Sequence, residues 1–278
     1  MSDGSTGERV HGSAEAGQTV TRLRGPIVDL GGAFMISPQA RQAVKDAGLR
    51  GWQFYFRGRC GVLGEVDPAV VAAVTAFFPP DLVRGSWEAA RDVLAPDEAV
   101  RRYAEACHAW GRSQLHGHAG AARLAELLER VARAADPVGA PLFAGWRAVP
   151  VPDDPPARAV HHAFLLREHR GGLHALAVLA SGLTPLEATV AGPGGGAEAA
   201  AHRWPEPYPA AGAELRDRHA RAERLTDRLA APAYAVLDED EGPELVQLAR
   251  AACQAAGLAG GASGADTEEE AHGLPRHA

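Results

Sequence analysis

"LLREHRGGLHALAVLASG", residues 165–182, decides how the chain is read. An apolar run stops at Arg167, Glu168, His169, Arg170, Gly171, Gly172 and His174, then resumes through residue 179. Cationic side chains in a last helical turn complement the helix dipole, and glycine supplies the left-handed cap, so one helix is predicted to end at Gly171–Gly172. A second helix, "LHALAVLASG", follows, and a third, "LTPLEATVAG", has Thr184 as cap and Pro185 at its first turn. Two short helices after a break make a helix-turn-helix-like unit, with residues 183–192 as its reading helix.

The same punctuation recurs on either side. "SPQARQAVKDAG" has Ser37 as cap with Pro38 after it, "VDPAVVAAVTAFFP" has Asp67 with Pro68, and helical patterning continues through "PDEAVRRYAEACHAWGRSQL" and "GAARLAELLERVARAAD". "VGAPLFAGWRAVPVPDDPP" breaks the rhythm and reads as an extended connection, while "PGGGAEAAA" reads as a loop. The scheme of helix, Arg-x-Gly break and proline-capped helix occurs at Arg59–Gly61 with Asp67–Pro68, and again at Arg170–Gly172 with Thr184–Pro185. This echo points to a duplicated helical module. Expected boundaries are a disordered tail over 1–25, a module over 26–140, a second over 141–257 and a disordered tail over 258–278, both tails lacking periodicity.

Within 278 residues 46% are hydrophobic, and no uninterrupted apolar run reaches the ~18 residues of a membrane span, so no membrane partner is expected. The N-terminus lacks a basic start and an apolar secretory core, which makes the cytoplasm the expected location. Cys60, Cys107 and Cys253 are three, far apart, and read as free thiols. A net charge of −7 leaves no global footprint for nucleic acid. Lys45 is the only lysine, and with the abundant Ala, Gly and Pro this fits a high-GC coding sequence.

Four segments in this order, "GLRGWQFYFRGRCGVLGEVDPAVVAAVTAFFPPDLV", "PLFAGWRAVPVP", "LLREHRGGLHALAVLASGL" and "ERLTDRLAAPAYAVL", resemble an actinobacterial family of helix-turn-helix or winged-helix type, distantly like the MarR regulators. The resemblance covers roughly residues 33–256. It implies a mostly α fold of two tandem winged-helix-like modules. Relatives tend to carry Asp where this chain has Gly172, and a short hairpin where this chain has the proline-rich Trp204–Pro209.

Sequence readout of DNA needs Arg, Lys, Asn or Gln at base edges, and residues 183–192 offer Thr184, Glu187 and Thr189 without a cation. DNA is therefore a disfavoured partner and a small-molecule ligand the preferred one. His beside a carboxylate suits acid/base chemistry near neutral pH, so Glu168, His169 and His174 are the candidate catalytic residues, with the glycine break turning His174 back toward the others. Arg167 and Arg170 can clamp a carboxylate or phosphate. Tyr55 and Arg59 on the aromatic helix "GWQFYFRGRCG", together with Trp146, are candidate ligand contacts in a cleft between the modules. Glu223 and Asp227 stand at i,i+4 on a polar helix, where two carboxylates repel unless Arg170 or another cation sits between them. No compact metal motif is present, no metal ligands are assigned, and no organic-cofactor motif is visible, so the cofactor is left unassigned. The expected function is a small-molecule-binding protein or acid/base enzyme of actinobacterial metabolism. The alternative is a MarR-like, ligand-responsive transcriptional regulator, for which a homodimer is the expected assembly.

Overall fold

The computed structural model describes residues 4–258, with side chains from Glu15 onward. Thirteen α-helices follow one another among these residues, and no strand does. They are α1 (Gly4–Gly32), α2 (Pro38–Asp46), α3 (Gly51–Cys60), α4 (Pro68–Val74), α5 (Pro80–Arg91), α6 (Pro96–Gln114) and α7 (Ala121–Ala134). The series continues with α8 (Pro141–Trp146), α9 (Pro155–Ala180), α10 (Pro185–Ala191), α11 (Gly195–Ala201), α12 (Ala213–Tyr234) and α13 (Glu241–Ala255). The mostly α class expected from the sequence is the observed one. Three caps form as the sequence predicts. Ser37 Oγ accepts from the Ala40 amide, Asp67 Oδ1 from the Ala69 amide and Thr184 Oγ1 from the Glu187 amide, each beside a proline whose missing N–H costs the first turn nothing.

The centre of the molecule is α9, 26 residues long and so about 39 Å from end to end. Asp154 Oδ1 caps it by accepting from the Ala157 amide. The helix does not end at Gly171–Gly172; it runs through both to Ala180. Packing explains why glycine stands at 172: a Cβ there would lie 2.7 Å from Ala140 Cα and 2.8 Å from Gly139 O. The pair is a place of close approach, and the segment around Gly139 fills the space that a side chain would take. Asp at 172 would require a different course for residues 139–140. Helices α1, α6, α7, α8 and α12 surround α9, whose buried residues accordingly lie on all its sides.

Residues 15–25 are not a tail. In α1, Ala16, Val20, Leu23, Ile27 and Leu30 are buried at three- and four-residue spacing, an apolar stripe laid along α9, α12 and α13. The expected C-terminal tail beyond Leu258 lies outside the described residues. Within the segment read as an extended connection, residues 141–146 form α8, and within the segment read as a loop, residues 195–201 form α11. The main hydrophobic core runs from Ala16 to Cys253 and includes side chains from both sides of residue 140. The hairpin of a winged helix has no counterpart among the described residues, where α11 and the segment 202–212 occupy its place.

The helix-turn-helix corner is formed by the end of α9 and by α10, bent 102° from each other. Gly182, at φ 73°, makes the turn. A small second cluster, Val178, Leu183, Ala188 and Ala222 with Phe77 and Leu215, holds the corner against α12. Among the described residues no single helix is long and apolar enough to cross a membrane.

Candidate functional site

Because α9 continues through the glycines, successive residues advance by about 100° and the motif 167–174 is distributed around the helix. Glu168, His169 and His174 face three different neighbours, so the structure does not assemble them into one acid/base centre.

Glu168 points into the core toward α3. Arg59 Nε donates to both of its carboxylate oxygens at 3.0 and 3.1 Å, Arg59 Nη2 to Oε2 at 2.9 Å, and Arg167 Nη1 to Oε1 at 2.9 Å. Arg59 Nη1 also donates to the Tyr55 hydroxyl at 2.7 Å, and the Trp146 indole N–H donates to the Arg59 carbonyl at 2.8 Å. The sequence-predicted contacts Tyr55, Arg59, Trp146 and Arg167 thus meet around Glu168, but what they bind is one another. Burial lowers the Arg59 pKa, and the Glu168 carboxylate together with Tyr55 more than reverses it, leaving it above its ordinary value. A cavity of only about 50 Å³ adjoins this pair, walled by Phe77, Phe78, Leu142 and Gly172.

His169 faces α7 and α8. Its Nε2 lies 3.1 Å from the Asp136 carbonyl and its ring 4.9 Å from that of Phe143, and burial lowers its pKa. One turn pair earlier, His162 faces α7 as well, 3.8 Å from Glu129 and with no hydrogen-bond partner at either ring nitrogen. Beside it His161 Nδ1 is 3.0 Å from His108 Nε2.

Arg170 and His174 face α12, where the carboxylate pair Glu223 and Asp227 stands. Arg170 Nη2 donates to Glu223 Oε2 and Nη1 to Asp227 Oδ1, both at 2.7 Å. From α1, Arg24 adds a second guanidinium, 3.1 Å from Glu223 Oε2 and 2.5 Å from Asp227 Oδ2. The His174 ring stacks on Phe77 and its Nδ1 meets Thr226 Oγ1 at 3.0 Å. Burial pushes the His174 pKa down to about 4, against the Glu223 carboxylate, so the ring is neutral at physiological pH.

Next to this network a surface cleft of about 540 Å³ opens between α1, the α10–α11 junction and α12, lined by Arg24, Gly192, Pro193, Arg216, His219, Glu223 and Arg224. Of these only Glu223 was singled out by the sequence. Arg24 lies in the stretch read as a tail, and Arg216, His219 and Arg224 lie in a polar helix whose pattern resembles an ordinary solvated face. The cleft signal in the sequence is the i,i+4,i+8 row Arg216, Ala220, Arg224 beside His219 and Glu223.

The reading-helix position is occupied by α10, seven residues long. Ala188, Thr189 and Val190 are buried, Glu187 is engaged in its own capping box and the Thr189 hydroxyl donates to the Pro185 carbonyl. It presents no cation, as the sequence predicted.

A family model described as a helix-turn-helix family matches residues 20–263 of the chain. No curated protein and no solved structure matches it.

Proposed function

The chain belongs to this helix-turn-helix family, and from that premise we propose that it is a small-molecule-binding protein built on a DNA-binding type of fold, taking a polar, anionic ligand in the cleft between α1, α10 and α12. The observation that carries this reading is the pair Arg216 and Arg224. Both line a surface cleft of about 540 Å³, and neither has a carboxylate partner among the described residues, Arg216 donating instead to the Ala211 carbonyl. A cleft of ~300–1,000 Å³ suits a small ligand, and unpaired guanidinium groups favour carboxylate or phosphate, which they bind with two parallel N–H···O bonds. The distribution of Glu168, His169 and His174 over three faces favours binding over acid/base catalysis by that trio. The test is thermal unfolding of the full chain with inorganic phosphate and with pooled phosphorylated and carboxylated small molecules. A ligand that binds only the folded state raises Tm in proportion to ln(1 + [L]/Kd). The reading expects such a rise in the wild type and its loss in Arg216→Ala/Arg224→Ala; no rise with any anion refutes it.

One observation favours a second reading, DNA binding through phosphates alone. Arg221, Arg224 and Arg228 form an exposed row on α12 without acidic partners among the described residues. Duplex binding that weakens steeply with salt, and weakens again in Arg221→Ala/Arg228→Ala, would replace the first reading with this one.

A further inference from the structure

His174, His219 and Glu223 bring two imidazole nitrogens and one carboxylate oxygen within 4.8 Å of one another. We infer that these three side chains form a binding site for a transition-metal dication of the zinc type, in the wall of the α12 cleft. The three come from two helices. His219 and Glu223 are four residues apart on α12 and so lie one above the other on the same face, and His174 arrives from α9, which Arg170–Asp227 and His174–Thr226 hold beside α12.

The polar contacts leave the ligating atoms uncommitted. Both guanidinium groups that reach Glu223, those of Arg24 and Arg170, bind Oε2. Oε1 carries no guanidinium; it lies 3.5 Å from His174 Nδ1, the ring nitrogen that is not the one offered to the ion. The Thr226 hydroxyl donates its only proton to the Ala222 carbonyl at 2.8 Å and therefore accepts from His174 Nδ1–H. That fixes the tautomer in which His174 Nε2 holds the lone pair. A histidine whose second nitrogen donates to a hydroxyl or carbonyl is the usual arrangement of a metal ligand, because the outer bond sets ring orientation. His219 has no hydrogen-bond partner among the described residues, and its Nε2 lies beside Gly192, 3.6 Å from where a Cβ at that position would stand. Two histidines and one glutamate are a known zinc set that leaves a fourth position open. Since His219 and Glu223 line the cleft, that position faces it. The four groups Arg24, Arg170, Glu223 and Asp227 balance in charge, so the site's net charge is the ion's own and an anion completes the shell. This last step rests on the proposed anionic ligand; the three-residue set does not.

The experiment uses the full chain, stripped with a chelator and titrated with Co²⁺ as a visible probe in the absence of added anions. The site expects one saturable equivalent of Co²⁺ with d–d bands, displaced by Zn²⁺, and a Kd weakened about tenfold or more in His219→Ala and in Glu223→Gln. His116→Ala, at an exposed histidine elsewhere, should leave Kd unchanged. His219→Asn serves as the second variant if circular dichroism shows that His219→Ala has lost its helices. Absence of saturable Co²⁺ binding, or the same affinity in wild type and the folded His219 variant, overturns the site. Phosphate-induced stabilisation of the metal-free chain is measured beside it. Co²⁺ binding without a phosphate effect keeps the metal site and removes the anion cleft, and the reverse result removes the metal site alone.

Discussion

The neighbouring glycines of α9 offer a test in which adjacent, chemically identical substitutions have opposite consequences. At Gly171 an added Cβ meets no atom within 4 Å, whereas at Gly172 it meets Ala140 Cα at 2.7 Å and Ala140 Cβ and Gly139 O at 2.8 Å. Both positions are interior to a helix, so replacing Gly by Ala gains about 1 kcal/mol of helix propensity at each. Gly171→Ala should keep that gain and raise Tm by roughly 2–4 °C, the usual conversion for a chain of this size. In Gly172→Ala the gain is opposed by overpacking of about 1–3 kcal/mol, at the upper end here because the atoms met belong to backbone and to the first carbon of a side chain. The net loss is about 2 kcal/mol. Since the propensity cancels in the difference, the gap between the two variants, about 3 kcal/mol, measures the contact with residues 139–140 alone. Urea denaturation followed by far-ultraviolet circular dichroism gives both numbers. A helix that ended at this pair would need Gly171 or Gly172 as its left-handed cap, and Ala at that cap would destabilise without any clash. A loss of stability in Gly171→Ala, or midpoints for the two variants that coincide, would refute the continuous α9 and with it the separation of Glu168, His169 and His174.

Three further outcomes are expected. Glu168→Gln strands Arg59, 8% exposed, without its counter-charge, and should cost about 3–5 kcal/mol in chemical denaturation, much of it recovered in Arg59→Met/Glu168→Gln; a loss under about 1 kcal/mol would show that the pair is dispensable. Burial holds His161 at about 3 and His162 at about 4, below the ordinary 6.5, so the unfolded chain takes up protons first. Their contribution to stability is intact above pH ~6.5 and drains away as pH falls toward 4, by up to ~1.4 kcal/mol per pH unit for each, and His162→Leu should flatten the denaturation midpoint between pH 7 and 5; an unchanged slope counts against it. Cys60, Cys107 and Cys253 are buried free thiols whose pKa burial raises, to about 12 for Cys60 and Cys253, so a thiol-disulfide reagent at neutral pH should label them only on unfolding, and labelling of the native chain would place one of them at the surface.

What the sequence revealed of the fold was local. Ser37–Pro38, Asp67–Pro68 and Thr184–Pro185 start helices through bonds within four residues, so nothing distant is needed to read them. The α1 stripe, by contrast, is carried by Ala16, Val20, Leu23, Ile27 and Leu30 among Gly17, Gly25, Pro26, Gly31 and Gly32, a composition with poor intrinsic helicity. Such a helix gains its stability from the faces of α9 and α13, and that packing has no local trace. Gly171–Gly172 misleads for the same reason. The pair has the composition of a cap, and only the approach of Gly139 and Ala140 tells why glycine is there.

The site divides along the same line. Glu223 and Asp227, one turn apart, repel unless a cation sits between them, and Arg170 is one cation that the spacing allows; that Arg24 would share the task could not be read, because its helix has no local trace. Glu168, His169 and His174 stand within seven residues and would meet if the chain turned at the glycines, but in a continuous helix nearness in sequence determines angular position, and theirs sets the three apart. The residues that do converge in space, His174 with His219 and Glu223, are 45 and 49 positions apart. Helical phase thus explains both outcomes. Arg170 and His174, one turn apart on α9, face α12 together, and the antiparallel course of α12 answers them in reverse order with Asp227 and Glu223, then His219. A chemical demand is legible where a single helix face creates it, and a binding site only where the partner face is known.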